Sequence, residues 1–164
     1  MNIAPIAFVD TWSFASTLFA RYKDRFVGDH HSMTMLPLRS EEGPLPILSE
    51  WKSAKALLSK IRTAAAPFMD GKAADLGAAA LIHMKPGGFM EWTWEGGEYA
   101  QAHCRFHLCV VPAPGCAIYS GGESGVLPVG MLTYVNRLVL HSAVNHSDTP
   151  AIHLVVDLQK PVEG

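Results

Sequence analysis

Beyond Ala78 the chain is cut by glycine and proline into short apolar or alternating runs: Ala78–Met84, Phe89–Glu95, Ala102–Val111, Cys116–Ser120, Met131–Val135, Ser142–Asn145 and Ala151–Leu158. Runs this short, with a period near two and turn residues between them, predict an antiparallel β-rich body of about seven or eight strands. Alternation also sorts side chains by face. His103, Arg105 and His107 share one face of a strand while Phe106 and Leu108 take the other, and Ala151, His153 and Val155 share a face of the last strand. A polar set on one side of an otherwise apolar strand points to a polar interior.

The segment before Ala78 reads differently. Trp12, Ala15, Phe19 and Tyr22 recur at helical spacing after Asp10, which predicts a first helix over Thr11–Tyr22. His31–Leu38 alternates as a strand and ends in the turn-rich Ser40-Glu41-Glu42-Gly43-Pro44. Ser49-Glu50-Trp51 opens a second helix in which Trp51, Ala54, Leu57, Leu58, Ile61 and Ala65 form one face, with Pro67 and Gly71 at its end. The expected fold class is therefore α+β, mainly β, with N-terminal helices packed on one sheet. We read residues 1–164 as a single domain, with 1–77 a helical support region and 78–164 a β-barrel core.

Composition narrows the function classes. With 164 residues, 49% of them hydrophobic, the chain can bury one sizeable core. Thirteen Lys and Arg against fifteen Asp and Glu, without a basic run, argue against nucleic acid as a partner. No run approaches the roughly 18 apolar residues of a membrane span, and the apolar Met1–Val9 lacks a positive start, so a cytoplasmic protein without membrane contact is expected. Cys104, Cys109 and Cys116 are odd in number and lack Cys-x-x-Cys spacing, which speaks for small apolar residues or free thiols. Gly121-Gly122-Glu123-Ser124-Gly125 reads as a hairpin loop rather than a phosphate cradle, and Asn145 as a residue that fixes a turn. His30, His31 and His146 read as loop residues, and no pattern indicates an oligomeric state.

Four cues stand in one order: Pro86-Gly87-Gly88, His103-Cys104-Arg105-Phe106-His107-Leu108, Asn136 through Asn145 with His141 at its centre, and Ile152-His153-Leu154-Val155-Val156-Asp157. In this the chain resembles the aspartyl/asparaginyl β-hydroxylase-like Fe(II)/2-oxoglutarate oxygenases. The resemblance implies a double-stranded β-helix of jelly-roll or cupin-like form. It also implies Fe(II) and 2-oxoglutarate as cofactors, and hydroxylation of a small molecule or of an amino-acid or peptide side chain. His141 takes the place of the distal histidine ligand. Counting back from Gly97-Glu98-Tyr99-Ala100 lands on Thr93-Trp94-Glu95, so Glu95 would supply the carboxylate and Thr93 stands where the first histidine belongs. The resemblance thus makes Glu95 and His141 the metal ligands and catalytic centre. Arg105 and His107 would bind cosubstrate or substrate, His153 would assist in cofactor binding, and Trp94 and His103 would line the substrate side.

A second departure concerns the arginine expected to clamp the distal carboxylate of 2-oxoglutarate at the start of the last strand, where this chain has Ala151. Arg105, Arg137 or His153 could substitute. The two departures leave a second class of function open: a barrel without iron chemistry, acting as a small-molecule binding module or as an acid/base enzyme using His103, His107 and Glu95. A rearranged metal site of His103, His107 and His141, suited to zinc or iron, is a further alternative. Specificity would reside in loops such as Ser40–Ile47 and Gly96–Gln101.

Overall fold

The computed structural model describes residues 1–11, 14–15, 27–30, 33–40, 43–44, 52–70 and 74–161. Its strands are β1 (Ile3–Phe8), β2 (Val27–His30), β3 (Met33–Ser40), β4 (Gly43–Pro44), β5 (Leu76–Met84), β6 (Phe89–Thr93), β7 (His103–Val111), β8 (Cys116–Ser120), β9 (Glu123–Val126), β10 (Met131–Val135), β11 (His141–Asn145) and β12 (Ala151–Gln159). Two helices accompany them, α1 (Lys52–Ala65) and the short α2 (Glu98–Ala102). The larger sheet runs β1-β10-β7-β12-β5-β3-β2 with β4 on β3, and the smaller runs β6-β11-β8-β9. From β5 to β12 the chain passes back and forth between the sheets, which winds them into a double-stranded β-helix, the jelly-roll solution to burying two sheet faces against each other.

Strand alternation builds two apolar clusters. Ile152, Leu154, Val156 and Leu158 of β12, with Phe106 and Leu108 of β7 and Leu36 and Leu38 of β3, face α1, which covers them with Ala54, Leu57, Leu58, Ile61 and Ala65. That helical stripe is the one the three- and four-residue spacing predicts, and the helix gives way at Pro67 to a 3-10 turn over Ala66–Met69. Between the sheets lies the smaller cluster of Met84, Cys109, Cys116, Ile118, Val135, Ala143 and Ala151. The opposite parity of Cys104 and Cys109 is realised: Cys104 packs on the helix side and Cys109 between the sheets. All three cysteines are free, and burial raises their thiol pKa values, that of Cys109 to about 12, so they are inert thiols rather than thiolates.

The structure departs from the sequence expectations in several places, among them His30, which is expected in a loop and ends β2 instead. Where the pattern has residues 1–77 as helical support, that region also supplies β1, β2, β3 and β4 to the larger sheet. The glycine-rich loop is tighter than Gly121–Gly125: Gly121 and Gly122, with φ of 56° and 84°, alone turn the hairpin, and Glu123 already pairs with Ser120. Two successive positive φ values suit the primed turns that match strand twist. The expected Gly96–Gln101 loop contains most of α2. The first helix, Thr11–Tyr22, lies mostly outside the described residues; Phe14 and Ala15 are helical and Phe14 is buried. Trp51, His31 and most of Ser40–Ile47 also lie outside them.

Candidate active site

A cavity of about 360 Å³ opens between the sheets. Small residues make its room: Ala78 and Ala80 on β5 and Ala143 on β11 line it where larger side chains would fill it. Met33, Met35, Ile82, Met84, Met90 and Ile118 give it apolar walls, and Thr93, Glu95, Arg105, Arg137 and His141 gather polar groups among them, with His107 of β7 and His153 of β12 also lining it.

Two strands of the smaller sheet bring the expected ligand positions together. Thr93 on β6 is paired in register with His141 on β11, and both line the cavity. His141 is buried, and its Nδ1 lies 2.9 Å from the Val139 carbonyl. A carbonyl only accepts, so Nδ1 carries a proton and Nε2 is the ring nitrogen left to face a metal. Glu95 Oε1 stands 3.9 Å from that Nε2. Metal bonds to such donors run about 2.1 Å, so two donors on one ion lie at most about 4.2 Å apart. The pair therefore fits one ion, and Thr93 offers only a neutral hydroxyl as a third donor. Among the described residues no three His, Cys, Asp or Glu side chains are gathered as a metal centre.

The carboxylate of Glu95 is already engaged. Arg105 Nη1 donates to its Oε1, and Arg137 Nη1 donates to its Oε2 at 3.1 Å. Asp157, on β12, completes the network: it accepts from Arg105 Nε at 2.9 Å and Nη2 at 3.1 Å, and from Arg137 Nη1 at 2.9 Å. Asp157 and Arg137 are almost wholly buried, with side chains 1% and 2% exposed. Burial works against the charge on Arg105, but hydrogen bonding and attraction to Asp157, then Glu95, outweigh it and raise its pKa. Tyr99 of α2 holds Arg137 from behind, its ring 5.2 Å from the guanidinium carbon and its carbonyl accepting from Nη2 at 3.5 Å.

His107 and His153 meet edge to face, ring centroids 6.2 Å apart. Burial lowers both pKa values, that of His107 well below its ordinary value, with the charges of His153, Arg105 and His141 adding to the shift, and that of His153 to about 4. At neutral pH both are uncharged hydrogen-bonding groups, and His107 Nδ1 is buried with no partner.

Other candidate residues lie elsewhere. His103 shares parity with Arg105 and His107, yet it opens β7 directly after α2, where its ring stacks on Tyr99 at 4.0 Å and its Nδ1 meets the Tyr99 carbonyl at 2.8 Å. It lines a separate surface cleft, so a site of His103, His107 and His141 is not assembled. Trp94 is 64% exposed and does not line the cavity; Trp92 packs on Tyr119 of β8. Ala151 is buried in the apolar cluster and brings no polar group. Sequence reading missed Asp157 as a partner, although it continues the parity of Ala151, His153 and Val155. Arg137, named only as a substitute clamp, sits in a turn where no periodicity marks it.

The aspartyl/asparaginyl beta-hydroxylase family model matches residues 52–161, from α1 to the end of the last strand. The chain belongs to this family. The hydroxylase-family core thus covers α1 and every strand that forms the cavity except β3 of the larger sheet. Comparison with curated proteins gives no significant match. Among solved structures, the non-heme alpha ketoglutarate dependent epimerase SnoN from nogalamycin biosynthesis superposes with a TM-score of 0.70 at 12% identity, over 96% of this chain and 77% of that one. The viral collagen prolyl hydroxylase of Paramecium bursaria Chlorella virus-1 gives 0.68 at 11% identity, over 98% and 97%. A 2OG-Fe(II) oxygenase-family oxidoreductase from Burkholderia pseudomallei gives 0.60 at 12% identity, over 88% and 77%. At these identities the likeness is one of fold: this hydroxylase-family chain has the architecture of the 2-oxoglutarate-dependent oxygenases. Among the described residues, no helix is long and apolar enough to cross a membrane.

Proposed function

We propose that the chain is an Fe(II)/2-oxoglutarate-dependent hydroxylase of a small molecule or of an amino-acid or peptide side chain. The observation that carries this reading is the approach of His141 Nε2 and Glu95 Oε1, 3.9 Å apart, on an apolar cavity with arginines beside them. His141 and Glu95 would hold the metal, which with 2-oxoglutarate and O2 supplies oxidation of an unactivated C–H bond. The protein's own part is positioning. Val139 orients His141, Arg105 and Arg137 receive carboxylate, neutral His107 and His153 offer uncharged hydrogen bonds, and the methionine-rich walls give an apolar surround.

Charge couples the two cofactors. Among the described residues, Arg39, Arg105 and Arg137 stand against Glu95 and Asp157 around the cavity, a difference of 3 − 2 = +1. A divalent cation alone would add to that excess and would have to draw Glu95 from two arginines. The dianion 2-oxoglutarate offsets the cation and offers those arginines new carboxylate oxygens, so each should favour the other's binding. Calorimetry and electron paramagnetic resonance with Mn(II) in place of Fe(II) test this. Weak Mn(II) binding should tighten by at least about tenfold, roughly 1.4 kcal/mol, when 2-oxoglutarate is present. No Mn(II) binding in either condition overturns the reading. That outcome would favour a barrel used only for binding, for which the ion-paired Glu95 and the threonine at position 93 are the supporting observations.

A further inference from the structure

Three arginines line the cavity, and two of them are occupied. Although the Nε of Arg137 is buried without a partner, Arg105 and Arg137 are both ion-paired with Asp157 and Glu95. Arg39 is not. It closes the cavity-lining row Met33, Met35, Pro37, Arg39 of β3, half-buried where the cavity meets the neighbouring cleft. Its Nε donates to the Leu76 carbonyl at 3.0 Å, which fixes the direction of the guanidinium, and its two terminal nitrogens have no partner among the described residues. Among the described residues, Arg39 is therefore the cavity-lining guanidinium without a carboxylate partner. The methionine row leading away from it is apolar, and the histidines beyond, His107 and His153, are neutral and offer no second charge.

We infer that the cavity takes an apolar carboxylic acid, its carboxylate on the terminal nitrogens of Arg39 and its hydrocarbon body along Met33, Met35, Ile82 and Met84. A guanidinium anchored through Nε and open at both terminal nitrogens is the donor pair that a carboxylate accepts in parallel. The methionines adapt to an apolar body without dictating its shape. This deepens the hydroxylase reading by naming its substrate class, and it rests on that reading only in taking the cavity as the substrate site.

The test is calorimetry of the metal-free protein with hexanoate and with its uncharged counterpart hexanamide. Wild type should bind hexanoate in preference to hexanamide. Arg39→Gln, which keeps a donor for Leu76, should weaken hexanoate by at least about tenfold, the equivalent of roughly 1.4 kcal/mol, and leave hexanamide unchanged. Arg39→Lys should recover part of the loss. Equal binding of the two probes by wild type overturns the proposal whatever the variants do, as does hexanoate binding that ignores Arg39→Gln. A loss confined to 2-oxoglutarate with Mn(II), with hexanoate unaffected, assigns Arg39 to the cosubstrate and also overturns it. Because the hexanoate arm needs no metal, failure of the iron reading leaves its result intact.

Discussion

Replacing Asp157 with alanine should expose how the charged end of the cavity is held together. The substitution deletes three hydrogen bonds, two from Arg105 and one from Arg137. The two arginines then fare differently. Arg105, with its side chain 23% exposed, can turn toward water and Glu95, whereas Arg137, 2% exposed, keeps only its contact to Glu95, its 3.5 Å bond to the Tyr99 carbonyl and its packing on the Tyr99 ring. Removing one partner of a buried pair costs about 3–5 kcal/mol, because the other charge stays buried. For a domain of this size each kcal/mol moves Tm by about 2–4 °C, so thermal unfolding followed by circular dichroism should drop by roughly 6–20 °C. If the cost is the stranded guanidinium rather than lost packing, Asp157→Leu combined with Arg137→Met should be more stable than Asp157→Leu alone, since an apolar pair replaces an orphaned charge. Additive losses in that double variant, or a shift of Tm for Asp157→Ala within about 2 °C, would refute the reasoning.

Thr93→His adds an imidazole beside His141 in register and should raise Mn(II) affinity by at least about tenfold, read by calorimetry; unchanged affinity would put the metal register in error. His153 is neutral in the fold down to about pH 4 but titrates near 6.5 when unfolded. The unfolded state therefore binds the extra proton, and stability should fall as pH drops from 6.5 to 4, by about 3 kcal/mol from this residue. Urea unfolding at stepped pH should show a shallower acid loss for His153→Gln, and parallel curves would count against it. Asn145 is fully buried, donates to the carbonyls of Met84, Lys85 and Thr149, and accepts from Ser147. Asn145→Ala should cost about 2–3 kcal/mol in the same assay, and a loss below about 1 kcal/mol would mean that water replaces these bonds.

Local periodicity carried most of the architecture. The runs at Cys116–Ser120 and Met131–Val135 are strands over those same residues, and the α1 stripe buries the residues its spacing selects. β1 was not legible as a strand because nothing near Ile3–Phe8 indicates its partner, β10, which lies far along the chain. His103 shows the limit of parity. Alternation assigns it to the face of Arg105, but the strand begins there, and the ring follows Tyr99 of the preceding helix.

By itself the sequence determined the alternation of faces along most strands and the donor types at positions 93, 95 and 141, because a two-residue period and residue identity are local properties. Tertiary structure alone decided which charges meet. Glu95 follows β6, Arg105 lies on β7, Arg137 in the turn after β10, and Asp157 on β12. Their attraction depends on separation and burial, and both arise only when the two sheets close on one another.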